Sequence, residues 1–136
     1  MTSPAQRAAQ NKALVRRFFE AVDAGDAAAM DELVREDYLD RQPPPFPGLP
    51  PGRAGLKKAI EMFRRSTPGR HEVLDQIASG DLVITRICVG GRPGIPDTGV
   101  TAMAVHRVRD GQLVEHLGEL EAPGVIEQSQ ARSAVS

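Results

Sequence analysis

The chain reads as an α+β fold, with helices first and a curved antiparallel sheet wrapped over them. Three observations predict this. Apolar residues recur at helical spacing through the N-terminal half. From His71 onward the period falls to two. Ser79-Gly80-Asp81 and Asp110-Gly111 then cut the second half into strands of hairpin length. Helices followed by a meander segregate to one face of an antiparallel sheet. A strongly bent sheet on three helices would leave a cone-shaped cavity between the layers. At 136 residues the chain is expected to form one domain, ordered over about residues 4–128 with a frayed, small and polar tail at about 129–136.

Ser3-Pro4 marks the first helix start: a capping hydroxyl, then a proline whose missing N–H costs nothing there. Leu14, Val15, Phe18, Phe19 and Val22 form its apolar stripe, and Ala24-Gly25 ends it. Asp26 caps a short second helix carrying Met30, Leu33 and Val34. Glu36 to Asp40 is a short extended segment. Pro43 to Pro51 holds six prolines in nine residues, which excludes helix and central strand. It is either a stiff surface loop or a semi-rigid lid carrying Phe46 and Leu49. Arg53 to Arg65 is the third helix, with Leu56, Ile60, Met62 and Phe63 apolar, stopped by Pro68-Gly69. The strands are His71–Ala78, Leu82–Val89, Val100–Arg109 and Leu113–Glu121, and a short closing helix runs to Gln128.

Composition excludes several functions. The net charge is −1, from 17 basic and 18 acidic residues, so no field is built to attract nucleic acid or an anionic membrane. No apolar run approaches the roughly 18–20 residues of a membrane span. The opening stretch lacks the apolar centre of a signal peptide. Cys88, the one cysteine, cannot form an internal disulfide and reads as a small buried hydrophobe. A reducing, cytoplasmic setting is expected. His71, His106 and His116 show no metal-binding spacing, and no Gly-rich loop precedes a helix, so neither a metal nor another cofactor is expected.

What remains is proton chemistry by carboxylates and histidine. Glu121 ends an apolar strand just before Ala122-Pro123-Gly124. In an apolar cavity its carboxyl would titrate high, as a general acid requires; at a solvated strand end it would not. Asp40, beside the proline-rich stretch, is a base at a pocket mouth or a solvated loop acid. His106 shares a strand face with Ala102 and Ala104, whose small side chains leave room for a cavity. His116 falls on the opposite face from Glu121 unless a bulge intervenes. Arg86, amid apolar residues, pairs with an acid, lies at a sheet edge or binds an anionic group. Tyr38, Phe19, Phe46, Leu49, Phe63, Met103 and Leu117 are candidate pocket lining or plain core.

The segments Arg16 to Asp40, Val105 to Glu115 and Glu121 to Gln128 together resemble the SnoaL-like polyketide cyclases of the nuclear-transport-factor-2-like superfamily. The shared pieces are Gly25-Asp26, Asp37-Tyr38-Leu39, Gly52 to Gly55, Thr98-Gly99, Arg107 with Asp110 to Glu115, and Gln128. The resemblance spans about Asn11 to Gln128 and implies the cone-shaped α+β barrel of that superfamily. It implies a cofactor-free intramolecular aldol ring closure on a bulky, apolar carbonyl compound such as a polyketide ester, hence a lyase or isomerase. Glu121 corresponds to the family's catalytic aspartate, one methylene longer. The family's frequent Trp falls at Leu117, its strand histidine near Ala104 with His106 two residues on, and its Asn at Asp40. The connection over 90–99 is shorter than usual. A ketosteroid-isomerase-like proton transfer with Asp40 as base is the second implied reading. A non-catalytic ligand-binding or dimerisation module is the third. The resemblance also implies a homodimer through the outer sheet face, the commonest oligomer symmetry.

Overall fold

The structure is a computed structural model that describes residues 2–44, 46–66, 70–91 and 100–121, with backbone alone at 63–66, 89, 91, 100 and 119–121. Helix α1 spans Pro4–Ala24. The Ser3 side chain accepts from the Gln6 N–H while the Gln6 side chain accepts from the Ser3 N–H, a reciprocal capping box. Gly25 closes the helix in the left-handed region at φ 67°. Asp26 caps a single 3₁₀ turn, Ala27–Ala29, that leads into α2, Met30–Leu33. The second helix is thus shorter than its apolar pattern, because Val34 already begins strand β1, Val34–Asp40. Helix α3 spans Gly52–Ser66. Four strands follow: β2 Arg70–Ser79, β3 Leu82–Gly91, β4 Val100–Arg109 and β5 Gln112–Glu121. The β4–β5 turn has Asp110 at φ 52° and Gly111 at φ 75°, the conformation that Asp-Gly supplies cheaply.

The sheet order is β1-β5-β4-β3-β2. β2 to β5 are antiparallel, as expected, but β1 pairs with β5 in parallel and makes the sheet mixed. Nothing local in a seven-residue strand specifies its partner's direction; parallel pairing needs a long connection, which α3 and the β2–β4 strands provide between β1 and β5. The inner face is continuous: Val83, Thr85 and Ile87 from β3 and Ala102, Ala104, His106 and Val108 from β4 are all buried. Helix α1 lies across it with Val15, Phe18 and Phe19 inward, and α3 packs on β1. The outer face is mixed, with Ile77 68 % exposed beside the Asp75–Arg86 pair.

β5 carries two irregularities in its pairing with β4. Val105 stands opposite Gly118, but His106 stands opposite His116, so Leu117 is an extra residue on β5. A second shift occurs between Arg107 and Val108, where Val114 is extra. Each bulge reverses the alternation of faces beyond it. The shift at Leu117 puts His116 in the same backbone row as Glu119, opposite Ala104, and Glu121, opposite Ala102. The bulge that simple alternation would need to bring His116 to the row of Glu121 is thus present. The closing helix toward Gln128, the tail, Thr98-Gly99 and Pro68-Gly69 lie outside the described residues.

Candidate functional site

Four strands and one helix bring together side chains that are far apart in sequence. Asp40 stands at the C-terminal end of β1, where the parallel register sets it opposite His116. Its Oδ1 meets His116 Nδ1 at 2.8 Å and accepts the Gln42 N–H at 2.9 Å. The His116 side chain is 10 % exposed and that of Asp40 20 %. The His116 ring stacks on His106, with centroids 5.0 Å apart and planes 29° from parallel. His106 meets the rings of Phe18 and Phe19 edge-on, at 5.5 and 5.8 Å. Phe19 also faces His71 at 5.1 Å. Asp23, at the end of α1, holds His71 at two points: its Oδ2 accepts the backbone N–H and its Oδ1 meets Nδ1, both at 2.7 Å. All three histidines therefore belong to one neighbourhood, although their sequence spacing suggested none.

The electrostatics separate His106 from the other two. It is 2 % exposed, and its Nδ1 has no hydrogen-bond partner among the described residues. Burial, and secondarily the charge of His116, push its pKa from 6.5 down to about 3. His106 is thus an uncharged ring at neutral pH, which does not suit it to donate a proton there. On the outer face, Arg107 bridges Asp81 and Glu115 at 2.9 and 3.1 Å, and Arg41 also binds Glu115. Those two guanidinium groups hold the Glu115 carboxyl below its ordinary range.

Beside Asp40 a cleft of about 550 Å³ runs between β1, the proline-rich loop and the start of α3. Tyr38, Leu39, Leu49, Pro50 and Leu56 supply much of its apolar lining, and Glu36, Asp37 and Asp40 are its only charged groups among the described residues. Gly52 and Gly55 let the loop close on β1. A Cβ on Gly52, at φ 75°, would meet the Glu36 carbonyl oxygen at 2.6 Å, and one on Gly55 would meet Pro50 O at 1.8 Å.

Of the residues singled out from sequence, Asp40, Tyr38 and Leu49 reach this cleft. Phe19 and His106 pack behind it in the core. Phe46 is half-buried on the loop and Leu117 is the bulge residue, also half-buried. Arg86 and Met103 lie opposite each other on the outer face, away from both cavity and core, and Arg86 forks onto Asp75 at 2.9 and 3.0 Å. That pairing holds Asp75 below the ordinary carboxylate range and leaves Arg86 committed to an acid rather than to a ligand. Phe63 lies in α3 and Glu121 in the last position of β5, while their side chains lie outside the described residues. Sequence reasoning missed His116 and the Asp23–His71 pair. The only local signal for His116 was the possibility of a bulge. No group of three or more His, Cys, Asp or Glu side chains suited to a metal ion occurs among the described residues, and none of their helices is long and apolar enough to cross a membrane.

Comparison with known proteins places this architecture. The family model of the SnoaL-like domain matches residues 15–116. A candidate polyketide cyclase from Bacillus cereus is 26 % identical, with a TM-score of 0.68 over 90 % of this chain and 80 % of its own. Wild-type IdmH, a candidate polyketide cyclase from Streptomyces antibioticus, is 26 % identical with a TM-score of 0.61, covering 90 % of this chain and 99 % of its own. An NTF2-like protein of unknown function from Mesorhizobium loti shares the fold at 24 % identity and a TM-score of 0.66, over 88 % of this chain and 98 % of its own. No curated protein matches the chain by sequence.

Proposed function

The chain belongs to the SnoaL-like domain family, and on that premise we propose that it is a cofactor-free acid–base enzyme acting on a bulky, apolar carbonyl compound. The reaction is an enolisation or an intramolecular aldol-type ring closure on a substrate such as a polyketide ester. One observation carries this reading: a carboxylate bound to an imidazole, Asp40 to His116 at 2.8 Å, stands in the wall of an apolar cleft of about 550 Å³. That volume suits a small-molecule ligand. The α-proton of such a compound is acidic because its enolate is delocalised, so one positioned base suffices to remove it.

Two carboxyl groups are candidates for that base. Family resemblance favours Glu121, whose backbone position shares a row with His116 once the bulge at Leu117 is counted. The cleft favours Asp40, as in the ketosteroid-isomerase-like reading. Hydrogen–deuterium exchange at the α-carbon tests both, whatever product the enzyme forms. A panel of aromatic β-keto esters is incubated in D₂O with wild type, Asp40→Asn and Glu121→Gln, and followed by NMR. Exchange above buffer is expected in the wild type and lost in one variant. No exchange with any compound, in a protein that still binds them, supports the binding-module reading instead.

A homodimer through the outer sheet face belongs to the same proposal. Ile77, Leu74 and Ile84 are 68, 40 and 37 % exposed, and Ile77 and Ile84 stand opposite each other on β2 and β3. Clustered apolar exposure of this kind marks an interaction surface. The compartment in which the protein works is proposed, from its single thiol, to be the cytoplasm.

A further inference from the structure

We propose that Asp40 and His116 act as one unit, in which Asp40 is the catalytic carboxylate at the cleft wall and His116 is the positioning residue behind it. This deepens the carbonyl reading and rests on it. Among the described residues, both contacts to the Asp40 carboxylate, from His116 Nδ1 and from the Gln42 N–H, fall on Oδ1. Two bonds to one oxygen set the rotation of the carboxylate and reserve Oδ2 for a proton. Asp40 lines the cleft, whereas His116 stands inside the sheet layer and does not.

The imidazole is itself fixed. It stacks on His106, which Phe18 and Phe19 grip edge-on from α1. The direction of the carboxylate is therefore set by the core rather than by solvent. His106 adds no charge to the stack, since its burial keeps it neutral. The other charged groups near Asp40 are already engaged or carry its own sign. Asp37 pairs with Arg35, Arg41 with Glu115, and Arg53 with Asp31 and the Val34 carbonyl, while Glu36 shares the cleft wall. With three acidic and no basic side chains among the described lining, the cleft disfavours an anionic substrate.

In the step itself Oδ2 of Asp40 takes the α-proton. The C–H bond breaks and its electron pair spreads onto the carbonyl oxygen as an enolate. Asp40, now protonated, returns that proton to carbon in an isomerisation, or to the new alkoxide once ring closure has formed the C–C bond. Throughout, His116 keeps its Nδ1–H on Oδ1.

The test uses 5-nitrobenzisoxazole, an uncharged apolar C–H acid, with the full-length protein. A base removes the ring C–H proton, the N–O bond breaks, and 2-cyano-4-nitrophenolate appears in the visible spectrum. Asp40→Asn is expected to lower kcat about 100-fold or more. His116→Phe keeps a ring on His106 but loses the N–H; kcat falls about 10–100-fold with KM nearly unchanged and the acidic limb of the pH profile displaced. His116→Asn, whose amide N–H occupies the Nδ1 place, restores most of the rate. If His116→Phe does not fold, the His116→Asn and Asp40→Asn profiles decide alone. Wild-type kcat and pH profile in any folded His116 variant without the N–H overturn the positioning role. Loss of rate in Glu121→Gln but not in Asp40→Asn overturns the assignment and leaves the carbonyl reading intact. A wild type no faster than buffer here has the same variants read by α-proton exchange instead, and a wild type silent in both assays removes the carbonyl reading itself.

Discussion

His106 makes a quantitative prediction that rests chiefly on burial. Its pKa is 6.5 in an unfolded chain and about 3 in this fold, chiefly because the ring is desolvated. The lowered value means that the folded state refuses a proton which the unfolded chain accepts between those two limits. Stability from this group is complete above pH 6.5 and falls as pH drops toward 3. Between pH 7.5 and pH 5.0 the loss is about 1.5 pH units at 1.36 kcal/mol each, or about 2 kcal/mol. Urea unfolding of wild type and His106→Phe at both pH values isolates it. Phenylalanine fills similar space against Phe18 and His116 and cannot titrate. Other groups contribute equally to both proteins and cancel in the difference, so wild type should lose about 2 kcal/mol more than the variant. Parallel pH dependence in the two proteins would refute the buried, neutral ring.

Individual contacts set the other expected outcomes. Gly52→Ala adds a methyl 2.6 Å from a backbone oxygen at φ 75°, and should lower stability by about 2–3 kcal/mol in thermal or denaturant unfolding. Gly48→Ala, at φ 74° with nothing within 4 Å, should cost only about 1 kcal/mol by the same measurement. Ser3→Ala removes the capping oxygen of α1 and should cost about 1 kcal/mol, with loss of amide-exchange protection confined to the first turn. If the proposed homodimer forms through the outer face, Ile77→Lys should shift sedimentation from dimer to monomer while leaving the circular dichroism of the fold unchanged.

Much of the fold was legible because its signals are local. A serine before a proline starts α1, an Asp-Gly pair turns β4 into β5, and alternation marks β2 to β4. What stayed hidden is non-local. The direction of β1 depends on which strand edge remains free once the meander has formed, and no residue within β1 encodes that. The bulge at Leu117 was illegible for a different reason: alternation assumes one residue per pleat, and Gly118, at φ 149°, gives only a weak hint of the break. That single extra residue moves His116 to the row of Glu121 and brings it to Asp40, 76 positions away. The clasp of Asp23 on His71 joins α1 to β2 across 48 positions with no pattern in either element to announce it. Arg86 was left with three readings by its place in an apolar run, and pairing with an acid could be chosen among them only once the cross-strand register placed Asp75 opposite it.

The central claim is that Asp40 and His116 share a fixed hydrogen bond at the edge of the site. Long-range ¹H–¹⁵N correlation of the imidazole side chains measures it directly. The Nδ1 of His116 is expected to carry the proton at neutral pH, with a slowly exchanging N–H resonance that is lost or moved in Asp40→Asn. A His116 protonated on Nε2 alone, or a spectrum unchanged by Asp40→Asn, would contradict it.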